Sequence, residues 1–191
     1  TRGGDPGSEN AVIHALDWLK RHQAPDGHWD IAGYDAACKG ARCTGGGTAD
    51  YNVGVTGLAL LAFLGHGDTS QQGTYQDTVK RGLSWLRSQQ SGDGCIGPKY
   101  EKFLYNHAIA TMVLAEAVTM RECGYKQNAQ DAVNYLCKCQ NAGKGWRYQN
   151  YAGGAPADRD GNNDTSVTGW AIMALKSAKV AELTVPDSAF Q

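Results

Sequence analysis

The groups in this chain that could do chemistry are a run of carboxylates, a lone histidine and a spaced pair of cysteines. Asp158, Asp160 and Asp164 alternate with Asn162 in Asp158-Arg159-Asp160-Gly161-Asn162-Asn163-Asp164. Oxygen ligands at alternate positions suit calcium, but an EF-hand also needs Gly at its sixth position and Glu at its twelfth, where this chain has Asn163 and Gly169. No cofactor is therefore expected. Calcium on Asp158, Asp160, Asn162 and Asp164 is the one alternative to a solvated acidic loop whose last Asp caps a helix. If the chain is catalytic, these aspartates and His107 are its candidates for acid and base work. His107 opens an apolar stretch, and a helix N-terminus favours the neutral imidazole. A histidine packed by Tyr105 and Tyr51 reads more simply as a hydrogen-bonded structural residue.

Cys38 and Cys43 flank Lys39-Gly40-Ala41-Arg42 in a Gly-rich stretch, a spacing that a local disulfide can close. Cys-x4-Cys is also half a zinc site, yet no Cys-x2-Cys or His-x3-His completes it. Six cysteines, an even number, favour an oxidising, extracytoplasmic setting, periplasmic or secreted. Cys137 and Cys139 face different directions on a helix, and Cys123 could meet Cys137 across a hairpin. No histidine stands at a spacing that forces it near a cysteine, so a cysteine nucleophile is not expected.

These groups must be placed by a two-helix pattern written three times. Leu16, Trp18 and Leu19 lead to Gln23, Gly27 and Trp29, and 67 residues on stand Leu83, Trp85, Leu86, Gln90, Gly94 and Ile96. In the third copy Tyr135 and Leu136 lead to Gln140, with Trp146 again six residues past the Gln. A second segment alternates with the first: Val55-Thr56-Gly57-Leu58-Ala59, then Ile109-Ala110-Thr111-Met112-Val113, then Val167-Thr168-Gly169-Trp170-Ala171. This alignment superposes Asn52, Asn106 and Asp164, which read as N-caps. In the first type, Val79, Leu83 and Leu86 share a face opposite Lys80, Arg81, Ser84 and Arg87, as in an outer helix wetted on one side. The second type has no charge from Val53 to Leu64 and is apolar all round, as a helix buried all round would be. At about twelve residues it is too short to span a membrane. Trp29, Trp146 and Trp170, at repeat spacing, either pack between repeats or line an aromatic cavity with Tyr51, Tyr105 and His107.

The 191 residues suffice for one domain, 1–191, with repeats near 9–67, 75–121 and 128–182. A chain of this length buries roughly 70% of its unfolded surface, without needing metal or disulfide staples. A net charge of −1 with both signs interspersed excludes the basic stripe that nucleic acid requires. The opening Thr1-Arg2-Gly3-Gly4-Asp5 carries neither initiator Met nor signal peptide, as a processed fragment would.

Gln23/Gly27/Trp29 and Gln140/Gly145/Trp146, set between alternating helix types, resemble the Gln-Trp repeats of the prenyltransferase and squalene-cyclase (squalene oxidase) superfamily. Tyr51 to Gly65, His107-Ala108-Ile109-Ala110-Thr111, Gly145-Trp146-Arg147-Tyr148 and Asp164 to Trp170 are most similar to the repeat proteins of planctomycete bacteria. The resemblance implies an all-α fold, an α/α-toroid-like array in which three helical hairpins, six main helices, make about half a ring. The apolar edges of a half ring imply completion by other segments of a parent protein or by a second copy.

Family chemistry can be checked against the residues. Cyclases of this superfamily protonate their substrate with an Asp-x-Asp-Asp motif, absent here; Asp158, Asp160 and Asp164 are the nearest approach. The Asp, Cys and His zinc ligands of prenyltransferase β subunits have no counterpart. The Gly-Cys-Gly-Glu-Gln of thioester domains is reduced to Gly94-Cys95-Ile96-Gly97. The sequence therefore points to a non-catalytic module binding a partner protein, glycan or lipid within a larger protein. The alternative is a terpenoid cyclase/prenyltransferase-like or polysaccharide-active enzyme using the central cavity.

Overall fold

A computed structural model describes residues 4–40, 43–141, 145–149 and 163–191. Among these residues the chain is all-α, with no strand and six main helices. They are α1 (Pro6–Arg21), α2 (Asn52–His66), α3 (Gln76–Ser88), α4 (Phe103–Thr119), α5 (Lys126–Lys138) and α6 (Thr165–Val180). The inner helices α2, α4 and α6 lie side by side, with α4 packed between the other two. The outer helices lean on them, α1 and α3 on α2 and α5 on α4 and α6. The result is a partial α/α-toroid.

Local chemistry sets the helix ends. At α1 Asp5 and Ser8 form a reciprocal capping box: Asp5 Oδ1 accepts from the Ser8 N–H at 2.9 Å, and Ser8 Oγ accepts from the Asp5 N–H at 3.0 Å. Each inner helix ends on a residue in the left-handed region: Gly67 (φ 103°), Arg121 (φ 70°) and Glu182 (φ 56°). The following N–H then turns back to a carbonyl five residues earlier, Asp68 to Phe63, Glu122 to Ala117 and Leu183 to Ala178.

Outer helices follow the expected stripe. Val79, Leu83 and Leu86 of α3 are fully buried while Lys80, Arg81 and Arg87 are exposed. Removing the Leu83 side chain to Ala would cost about 2–5 kcal/mol in transfer and cavity terms. Inner helices depart from the expectation of burial all round. On α2 Leu58 is 45% exposed, with Ala62 and Gly65 also open, because these residues face the concave side, which no neighbour fills.

The repeated Gln is the joint between units. Gln23 Nε2 donates to Gly27 O in its own turn and to Thr78 O in α3, both at 2.9 Å. Gln90 does the same to Gly94 O and to Asn128 O in α5, at 3.1 and 2.9 Å. Gln140 Nε2 donates to Ala189 O at 3.1 Å, in the single turn Asp187–Phe190. Thr78, Asn128 and Ala189 are each the third residue of their element, so Asp187–Phe190 takes the place that α3 and α5 take in the earlier joints.

The aligned Asn52, Asn106 and Asp164 do not share one role, which corrects the reading of all three as N-caps. Asp164 does cap α6, accepting from the Val167 N–H at 2.9 Å. Asn106 lies inside α4 and caps the neighbouring helix instead, its Oδ1 accepting from the Gly54 N–H in the first turn of α2 at 3.1 Å. Gly54 permits that approach, since a Cβ there would stand 2.5 Å from this oxygen. Asn52 is the first residue of α2 and holds the preceding loop, accepting from the Ile31 N–H at 3.0 Å.

Candidate functional site

The concave face is built by one position of the inner-helix repeat. Leu58, Met112 and Trp170 align with one another and form an apolar ladder across α2, α4 and α6, each partly or largely exposed. Between α2 and α4 a depression of about 270 Å3 is lined by Leu61, Leu64, Met112, Glu116 and Met120. Glu116 is the one carboxylate on the three inner helices, and its Oε1 accepts from the Ser177 hydroxyl at 2.6 Å. At the outer edge of α2 a larger apolar cleft of about 340 Å3 opens toward α1, walled by Trp18, Trp29, Tyr34, Val55 and Leu58 and touched by His22.

His107 is fully buried and faces neither hollow. Its Nδ1 accepts from the Ile96 N–H and its Nε2–H donates to Ala132 O, both at 3.1 Å, so one tautomer is fixed and both nitrogens are used. Burial pushes its pKa down to about 4. The ring stands edge-on to Tyr135, with centroids 4.9 Å apart, rather than against Tyr105 and Tyr51 as the sequence suggested. Its purpose is visible in the neighbouring repeats. There the N–H groups of Trp29 and Trp146 donate to the hydroxyls of Thr56 and Thr168 at 2.9 and 3.0 Å. The middle repeat has Ala110 in that slot, which cannot accept. His107, one helical turn earlier on the same face, reaches over to take the Ile96 N–H.

Asp164 is the one aspartate of the acidic run within the described residues; Asp158, Asp160 and Asn162 lie outside them. Its Oδ2 accepts from Tyr148 at 2.9 Å, and its Oδ1 accepts from Tyr105 at 3.3 Å and from the Ser166 hydroxyl. The Ser166 hydroxyl first, then the Val167 N–H and the Tyr148 hydroxyl, hold the carboxyl down to about 2. A general acid needs the opposite shift, as burial or a like charge would give. Tyr105 stacks on Tyr148, and Tyr51 stands edge-on to Tyr100.

The tryptophans divide. Trp170 is half-buried, at the position that aligns with Leu58 and Met112. Trp146 is fully buried with its indole N–H on Leu136 O at 2.8 Å, so it is core rather than cavity wall, contrary to the cavity reading. Trp29 is likewise buried, its Nε1–H on Leu19 O, with one edge reaching the α1–α2 cleft.

Cys38 and Cys43 carry thiols rather than the local disulfide the spacing allowed. Cys38 and Cys43 bring their sulfurs to 3.1 Å, and the fold adds His22, whose Nε2 is 3.5 Å from Cys38 Sγ. No spacing forces this meeting, as the sequence analysis had it: the two stand sixteen positions apart, and the turn Tyr34–Ala37 folds them together. The one local signal was Trp18-x3-His22, a spacing that stacks the two rings on one helix face at 3.7 Å.

A family model for the squalene-hopene cyclase C-terminal domain matches residues 54–187, more than half of the chain. The chain belongs to that family. Neither the curated proteins nor the solved structures gave a match. The matched span of this squalene-hopene cyclase C-terminal domain protein begins in α2, takes in the remaining helices and includes the whole of the Gln90 joint. Among the described residues no helix is long and apolar enough to cross a membrane.

Proposed function

We propose that the chain is a non-catalytic α/α-toroid module that holds an apolar partner on its concave face as part of a larger protein. The observation carrying this reading is the ladder Leu58, Met112 and Trp170 on inner helices that bear a single carboxylate, Glu116, already hydrogen-bonded. An exposed apolar stripe favours a hydrophobic protein segment or a lipid chain over a glycan, whose hydroxyls need fixed polar partners. The partner claim extends to the ends of the arc. Val12, Ile13 and Trp18 are exposed at one edge, Met173 and Val180 at the other, and further helical hairpins of a parent protein or a second copy would cover them.

Titration with farnesol, followed by tryptophan fluorescence, tests the reading. Saturable quenching that Trp170→Ala and Leu58→Asp abolish, with helicity kept, is the expected outcome. Quenching untouched by both substitutions refutes it.

One observation favours a second reading, an enzyme of terpenoid-cyclase, prenyltransferase or polysaccharide-active type. Asp164 gathers the Tyr105 and Tyr148 hydroxyls at the start of α6. Turnover of an isoprenoid or polysaccharide that Asp160→Ala and Asp164→Ala abolish would establish it. Extracytoplasmic location and a calcium role for Asp158, Asp160, Asn162 and Asp164 belong with these proposals.

A further inference from the structure

We propose that Cys38, Cys43 and His22 form a redox-active dithiol that reacts with low-molecular-weight disulfides, Cys38 being the attacking thiol and Cys43 the resolving one. The proposal does not rest on the reading given to the concave face.

Three geometric facts carry the assignment. First, the two sulfurs are 3.1 Å apart, inside van der Waals contact, so about 1 Å of closure makes an S–S bond near 2.05 Å. Second, His22 is oriented as a base. Its Nδ1 lies 2.7 Å from Trp18 O, and a carbonyl only accepts, so Nδ1 carries the hydrogen and Nε2 presents its lone pair to Cys38 Sγ at 3.5 Å. The ring is clamped flat on Trp18 and is 4% exposed, so this tautomer is held rather than sampled. Third, the pair is reachable, Cys43 being exposed and Cys38 half-buried, whereas Cys95 and Cys139 are buried. Electrostatics agree with the geometry. The contact with His22, followed by that with Cys43, brings the Cys38 thiol down to about 7, while Cys43 is pushed up by its neighbour. Two thiols so separated have distinct roles, the lower attacking and the higher resolving.

The reaction balances. Cys38 passes its proton to His22 Nε2, and the thiolate attacks one sulfur of a disulfide RSSR. Cys38–S–S–R forms, RS⁻ leaves, and the imidazolium returns the proton to it. Cys43, deprotonated to solvent, attacks Cys38 Sγ and expels the second RS⁻, which takes up a proton. The protein dithiol is oxidised by two electrons to the Cys38–Cys43 disulfide, and RSSR is reduced to two RSH.

The test uses the full chain, with exposed Cys123 as the internal reference thiol. Iodoacetamide alkylation under native conditions, read by peptide mass spectrometry from pH 5.5 to 9.5, should show Cys38 half-maximal near pH 7, below the ordinary thiol value of about 8.5. In His22→Gln, Cys38 should react roughly tenfold slower at pH 7 as its titration moves up toward the ordinary thiol value. Oxidised glutathione should convert the wild type to the internal disulfide with release of two glutathiones. Cys43→Ser should stop at a glutathione adduct on Cys38, and in Cys38→Ser, Cys43 should react no faster than Cys123. The wild-type profile and the Cys43→Ser adduct decide the matter even if His22→Gln fails to fold. Cys38 half-maximal at the ordinary thiol value of about 8.5, or a Cys43→Ser adduct no more frequent at Cys38 than at Cys123, overturns the proposal.

Discussion

At the scale of single residues, the chain shows how a reactive side chain becomes masonry. His107 stands where Thr56 and Thr168 stand in function, and its imidazole exists to bridge the Ile96 N–H to Ala132 O across two layers. Its titration then becomes a stability term. The folded value, about 4, lies below the unfolded value of about 6.5, so on acidification the unfolded chain takes up the proton first. Stability is complete above pH 6.5 and declines as pH falls toward 4, by about 2–3 kcal/mol at the lower limit. Urea unfolding at pH 7, 5.5 and 4.5 should show that decline, and His107→Gln, which keeps a donor and an acceptor without titrating, should flatten it. Much of this was legible beforehand, since Ala110 breaks the Thr56–Thr168 repeat and marks the unit whose acceptor must come from elsewhere. His22 was not legible, because its meeting with Cys38 depends on the path of the loop after residue 30 and not on any spacing.

At the scale of elements, the three inner helices end alike but on unlike residues. Gly67 adopts φ 103° freely, whereas Arg121 at 70° and Glu182 at 56° hold a Cβ in the left-handed region at a cost of about 1–2 kcal/mol. Glycine would remove that cost and return about 0.5–1 kcal/mol in unfolded-chain entropy. Arg121→Gly and Glu182→Gly should each therefore raise the thermal midpoint by a few degrees at most, measurable by calorimetry, and Gly67→Ala should lower it. The alternation of outer and inner helices was legible from the change between a one-sided stripe and uniform apolarity. The cap assignments were not: alignment put Asn106 over Asp164, but a side chain one turn into α4 reaches a neighbouring helix more easily than its own free N–H groups. The carboxylates in the turns were also passed over. Glu122 is 3% exposed and ties α4 to the preceding unit by accepting from the Ser70 hydroxyl at 2.7 Å.

At the scale of the whole molecule, the partial toroid was readable because its repeats are read as joints: Gln, then Gly, then an aromatic or aliphatic plug. What covers the two apolar edges is not written in any one repeat, since an edge residue such as Val180 has the same chemistry whether its neighbour is a sibling hairpin or a second chain. The joints also have a polarity. Gln23 reaches forward into α3, Gln90 forward into α5 and Gln140 forward into Asp187–Phe190, as roof shingles are each pinned by the next course. Stripping the last course unpins the one before it, while stripping the first unpins nothing. Trimming residues 187–191 should thus speed amide hydrogen exchange around Gln140 and Trp146, whereas trimming residues 4–15 should leave exchange at all three glutamine joints unchanged. Damage to this arc is inherited in one direction, from its C-terminal end inward.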